Sequence, residues 1–277
     1  GATFTGLVRG MEVPAILLRW VSLWSIALSV GFLVWRVFYL RASEKHVEQA
    51  PLDELNETAL TRADQIATYT APIVLIGAFG AFVVPVLRAQ PGLRIALVLG
   101  SIALAALLFT GVKNRASAIA AVILAGLLIA GWAWADVGNH WHVWIRMLHL
   151  TAFTLWLGGA LWNIAVAMPA GRQHPNVEAV LAGAKQLDRF RWVVRFVLPT
   201  IIITGVVMTY DFWSLPLNFW YTYPGVLIPL KVLAIVALVV VFITCPLFRH
   251  CSPVQGVCNI DDLGESGHVH DESCGQP

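Results

Sequence analysis

The chain has 277 residues, 58% of them hydrophobic and 12% charged, with a formal net charge of +2 and a mean hydropathy of +0.74. A water-soluble domain carries about a quarter charged residues, so this composition leaves too little polar surface to face water and points to a bilayer as the solvent. The small net charge gives no electrostatic footprint for a nucleic-acid partner. Seven apolar runs reach membrane-spanning length, at 14–40, 66–88, 93–111, 116–135, 144–168, 192–212 and 224–247. The first is too long for a signal-peptide core and is read as a retained helix. A charged loop, 41–64, follows it. Gln90-Pro91-Gly92 and Lys113-Asn114-Arg115 form tight turns, Asp136 to His142 a short polar loop, and Ala170 to Asp188 a long one. An aromatic, turn-rich stretch from Asp211 to Pro224 precedes the last run. From Arg249 onward the chain reads as a flexible polar tail.

The expected fold is an all-α, polytopic membrane bundle of about seven helices with a parallel internal repeat. Shifting the chain by 127 residues places Arg19 on Arg146, Leu23 on Leu150, Gly31 on Gly158, Arg62 on Arg189 and Pro72 on Pro199 without a gap. The shift crosses four helices, so both copies run the same way, as parallel repeats of transporters do. The first copy spans 1–135 with four helices and the second 136–248 with three; the tail is 249–277. Loops after the first, third and fifth helices, with the tail, hold the greater share of Lys and Arg, among them Arg41, Lys45, Lys113, Arg115, Arg172 and Lys185. That bias places the tail in the cytoplasm and the N-terminus outside.

Ionisable residues in membrane helices are functional candidates. His142, Arg146 and His149 share one helix face by their i, i+4, i+7 spacing, with His140 just before them and Asp136 near enough to supply a carboxylate. Met147 neighbours His149, and Met208 falls near the same end of the sixth helix. Imidazole and thioether ligands suit copper, Cu(I) in particular. A buried His bonded to a neighbouring helix is the plain alternative for His149, and His140 and His142 also read as interfacial loop residues. Asp211 and Lys231 form a candidate charge pair, either a salt bridge closing the bundle or a relay. The tail holds Cys251, Cys258, His268, His270 and Cys274, with Cys245 at the inner end of the last helix. These ligand types suit Cu(I) or zinc, but the spacing matches no closed zinc motif. A disordered tail docking on a partner is the other reading.

One family resemblance emerges from these residues. His149 is followed by Leu155-Trp156-Leu157-Gly158-Gly159, then Phe190-Arg191, Thr204-Gly205, and Tyr223-Pro224-Gly225 leading to Lys231. The stretch from about Trp144 to Leu247 resembles the copper-resistance D (CopD) membrane domain. The resemblance implies a bacterial inner-membrane protein of copper uptake or resistance working with a periplasmic copper carrier. It makes His149 the metal-associated residue and Lys231 the motif lysine. Ser22 stands where the repeat would put a second His, and the eighth helix of longer members is missing. Copper handling, with metal bound at the outer face and passed to the cytoplasm, is therefore the expected function. Two alternatives stay open: a b-haem electron-transfer subunit, for which His149 is the single candidate axial ligand in the hydrocarbon region, and an accessory or structural subunit of a larger membrane complex. No nucleotide-binding loop, convergent Ser/His/Asp set or zinc-protease motif is present, so no enzymatic activity is expected.

Overall fold

The computed structural model describes residues 13–83, 90–138, 140–210, 213–222 and 225–244. They form α1 (Val13–Val34), continued by a π-helical turn (Trp35–Tyr39), then α2 (Gln49–Val83), α3 (Pro91–Thr110), α4 (Arg115–Val137) and α5 (His142–Trp162). A second π-helical turn (Asn163–Ala167) joins α5 to the short α6 (Met168–Gln173). There follow α7 (Val177–Thr209), a 3-10 turn (Leu217–Tyr221) and α8 (Leu227–Thr244), with no strand among the described residues. Among the described residues, five helical rods are long and apolar enough to cross a membrane: Leu17–Tyr39, Pro91–Thr110, Arg115–Val137, His142–Gln173 and Val177–Thr209. The outward surface is apolar as well. Phe79, Leu99, Leu127, Ile164 and Ile203 are all more than half exposed, which suits a hydrocarbon solvent. The chain thus has the character of a multi-pass membrane protein.

Two of the expected loops are largely helix. Residues 49–64 belong to α2, and residues 177–188 belong to α7. Their charges masked an amphipathic pattern: Leu52, Leu55, Ala59, Ala63 and Ala67 are buried along one face of α2, and Ala179, Ala182, Gln186 and Phe190 along one face of α7. The start of α7 is fixed by Asn176, whose side chain accepts from the Ala179 amide at 2.8 Å. Asn114 caps α4 in the same way through Ala116 at 2.9 Å, and Pro91 opens α3 where its missing N–H costs nothing. Of the other expected spans, α2 carries its apolar part up to Val83, and α8, Leu227–Thr244, is apolar in sequence apart from Lys231 and Thr244.

The centre of the bundle is the crossing of α1 and α5. A Cβ on Gly31 would overlap the Thr154 carbonyl and the Gly158 backbone, and a Cβ on Gly158 would overlap Gly31 in turn. The two backbones therefore touch. In lipid, such close approach is what helix association relies on, because burial of apolar surface no longer separates folded from unfolded helices. Around the crossing lie three fully buried tryptophans, Trp35, Trp132 and Trp162. Phe32 packs on Trp162 and Phe190 on Trp35, at ring separations of 5.4 and 5.5 Å. The α2 helix approaches α1 almost as closely, since Gly77 and Gly80 face Ser22 and Leu18.

At the end of the bundle distal to His140, polar bonds lock the rods together. Arg36 donates to the Val112 and Lys113 carbonyls at 3.0 and 2.6 Å. Asp64 accepts from the Val112 amide at 2.7 Å. Both contacts hold the α3–α4 turn, where Gly111 adopts φ 97° and a side chain would collide with Asp64. Arg62 donates to the Ala165 carbonyl at 3.2 Å and Arg189 to the Tyr39 carbonyl at 2.7 Å. Each arginine thus reaches a π-helical turn. In the second turn Asn163 also takes the Gly159 carbonyl at 2.8 Å, a side chain inserted where the helical ladder is broken.

The crossing yields a test. Gly158→Val should destabilise the folded chain by at least ~2 kcal/mol, the scale of overpacking in a close contact. Gly126, which has open space around its Cα, should tolerate Ala with no loss. Thermal unfolding of both variants in mild detergent checks the contrast; equal melting temperatures would refute backbone contact at Gly158.

Candidate functional site

The chemistry-bearing residues gather at the end of the bundle where α1 and α5 begin and α4 finishes. The α4 helix stops at Gly138, which takes φ 74°. Near that end, Asp136 points inward with its side chain only 9% exposed. Arg146 donates to Oδ2 of Asp136 through Nε at 3.2 Å and through a terminal nitrogen at 3.0 Å. Arg19 pairs with Oδ1 of the same carboxylate. Their side chains keep 27% and 24% exposure for Arg19 and Arg146. One carboxylate therefore joins the starts of α1 and α5, and the negative charge is tucked in while both guanidiniums face partly outward. Because the two arginines share one partner and the two glycines meet further along the same two helices, α1 and α5 run parallel.

His149 lies one turn inside Arg146. Its Nδ1 is 2.8 Å from the Thr204 hydroxyl on α7. That hydroxyl donates to the Thr200 carbonyl at 2.5 Å. A hydroxyl has a single proton, so Thr204 accepts from His149, and the imidazole carries its hydrogen on Nδ1. In that tautomer the lone pair sits on Nε2, the nitrogen by which a neutral imidazole can ligate a metal. Gly205 lies 3.6 Å from Cε1 at its Cβ position, so a missing side chain gives room beside that edge of the ring. Ser22, the residue that aligns with His149 in the 127-residue shift, is fully buried against Gly77.

His140 and His142 form a separate unit at the mouth of α5. Their rings stack at 4.5 Å with an interplanar angle of 21°, and the His142 amide donates to Nδ1 of His140 at 3.4 Å. Trp141 and Trp144 beside them are exposed, 57% and 69%, as aromatic anchors at a membrane interface are. Seven residues separate His142 from His149, about 10 Å of helical rise. Met147 is packed against the core, and Met208 is half-buried near the end of α7. Lys231, on the first turn and a half of α8, lies over the Trp20 ring at 5.5 Å.

Asp211, Cys251, Cys258, Cys274, His268 and His270 lie outside the described residues, as does Cys245, and with them the expected Asp211–Lys231 pair and the tail cluster. Among the described residues no group of three or more His, Cys, Asp or Glu side chains converges. The Arg19–Asp136–Arg146 junction was not foreseen as a unit. Its signal was available: charged groups in apolar helices need partners, and Asp136 is the single acidic residue between positions 65 and 177.

Asp136→Asn should leave two guanidiniums without a counter-charge and cost roughly 2 kcal/mol, below the full cost for a deeply buried pair because both arginines stay partly exposed. Thermal unfolding in detergent reads the loss; an unchanged melting temperature would show that the junction does not hold α4 to α1 and α5. Comparison of the chain with protein-family models, curated proteins and solved structures gives no match, so its function rests on this geometry alone.

Proposed function

We propose that the chain is a seven-span membrane protein that binds copper at the end carrying His140, His142 and His149. The carrying observation is the hydrogen-bond chain His149–Thr204–Thr200, which engages Nδ1 of a membrane-embedded imidazole and makes Nε2 the candidate ligand. The stacked His140 and His142 pair offers a first landing point about 10 Å away along the same helix. Neutral imidazoles suit Cu(I), which accepts few ligands and tolerates nitrogen donors. The resemblance of 144–247 to the CopD membrane domain adds to this reading, as does the Lys and Arg bias that sets the His140 end outside a bacterial inner membrane. A periplasmic copper carrier is the fitting donor, and the Cys-bearing tail the fitting exit.

The same proposal takes the bundle as a parallel repeat of four and three helices. Equivalent positions support it. Gly31 meets Gly158, Arg19 and Arg146 share Asp136, Trp35 and Trp162 are both fully buried, and Arg62 and Arg189 each reach a π-helical turn.

Elemental analysis of the full chain, purified in mild detergent and loaded with Cu(I), tests the assignment. Near-stoichiometric copper is expected, with most of it lost in His149→Ala and slower loading in a His140→Ala/His142→Ala double variant. Absence of retained copper in the native chain would overturn the proposal, and stoichiometric iron with a haem absorbance band would replace it with electron transfer.

A further inference from the structure

The end of the bundle that carries the histidines also carries an excess of positive charge. Arg19, Arg146 and Lys231 come from α1, α5 and α8. Lys231 reaches α1 at Trp20, the neighbour of Arg19, with its Nζ 5.5 Å from the ring, and Arg19 and Arg146 meet on one carboxylate. The carboxylate at this end among the described residues is Asp136; Glu12 and Asp211 lie outside them. Asp136 is turned into the bundle, whereas the arginines are partly exposed and Lys231 is exposed beside Trp20. Among the described residues, the outward-facing charge at this end is therefore positive although the buried charge is paired.

The depth of these groups is also specific. Arg19 is the seventh residue of α1, and Arg146 and Lys231 are the fifth of α5 and α8. At 1.5 Å per residue, all three lie roughly 6–9 Å past the starts of their helices. From that depth long basic side chains reach back to headgroup phosphate. Trp20 lies under Lys231, and Trp24 packs edge-on to Phe153 at 5.1 Å one turn deeper. Below the cations, then, α1 and α5 present an aromatic wall against which an acyl chain can lie.

We propose that Arg19, Arg146 and Lys231 form a binding site for the phosphate of an anionic lipid headgroup, seated between α1, α5 and α8 with its chain along Trp20 and Trp24. The arginines supply planar donors and Lys231 a mobile point charge. The ligand is an oxyanion, and its lipid form is favoured because the tryptophans below the cations, Trp20 and Trp24, are 44% and 41% exposed on the apolar outer surface. The site is independent of any metal at His149. Its occupation would offset the positive field next to that imidazole.

Native mass spectrometry of the full chain in detergent micelles, doped with equal amounts of phosphatidylglycerol and phosphatidylcholine, reads this directly. Retention of phosphatidylglycerol several-fold over phosphatidylcholine is expected, with a severalfold loss in Lys231→Gln and recovery in Lys231→Arg. Lys113→Gln, at the far end of the bundle, should leave retention unchanged. Displacement of the lipid by millimolar inorganic phosphate would assign the site to a soluble oxyanion with the same residues. Equal retention of the two lipids, or equal losses in Lys231→Gln and Lys113→Gln, would overturn the site. Arg19 and Arg146 are left intact in these variants because each also neutralises Asp136.

Discussion

Contact between two glycine backbones is the constraint on which the rest of the bundle depends. In water a helix pair can be held by burying apolar faces, but in hydrocarbon the lipid tails satisfy those faces equally well. What remains is the density of close contacts and the matching of polar groups. Gly31 and Gly158 let α1 and α5 approach until backbone meets backbone, and everything central follows from that distance. The tryptophans at positions 35 and 162 fill the widening space beyond the crossing. The arginines at positions 19 and 146 are brought within reach of one carboxylate before it.

Polar groups finish what the crossing begins, and they do so differently at the two ends. At the Lys113 end, arginines cap backbone carbonyls at helix ends and π-helical turns, and each ion pair there has its own carboxylate, Lys113 with Glu57 and Arg189 with Glu44. At the His140 end two arginines share one carboxylate, and Lys231 stands beside them over Trp20. The first end resembles a latch; the second leaves cationic donors partly exposed, which is what the lipid proposal rests on.

Much of the fold was legible in the sequence because the bilayer imposes a length. A run of about 20 apolar residues matches the thickness of the hydrocarbon layer when it is wound as a helix. Most described residues of the seven runs are helical, and among them five rods are long and apolar enough to cross. The boundaries of two rods were not legible. Segments 49–64 and 177–188 carry charges at positions that turn out to lie on the outer face of longer helices, and a charge count hides an alanine stripe. The site was legible residue by residue but not as an arrangement. The spacing of His142, Arg146 and His149 put them on one face, and the 127-residue shift matched Arg19 with Arg146. That Asp136 would serve the arginines rather than the histidines depends on how α4 meets α1 and α5, which no local pattern encodes. The role of Thr204 is similar: the residue stood in a recognisable Thr-Gly pair, but its hydrogen bond to His149 spans 55 positions in the chain.

Positions 22 and 149, which the 127-residue shift aligns, are packed in opposite ways. Ser22 sits against the backbone of Gly77, so α1 and α2 close on each other there. His149 sits against Thr204, and the seam between α5 and α7 holds an imidazole and a hydroxyl, with Gly205 leaving space beside the ring edge. A second imidazole at position 22 would have to push α2 away, so on the proposed copper reading helix packing alone limits the chain to one ion at this level.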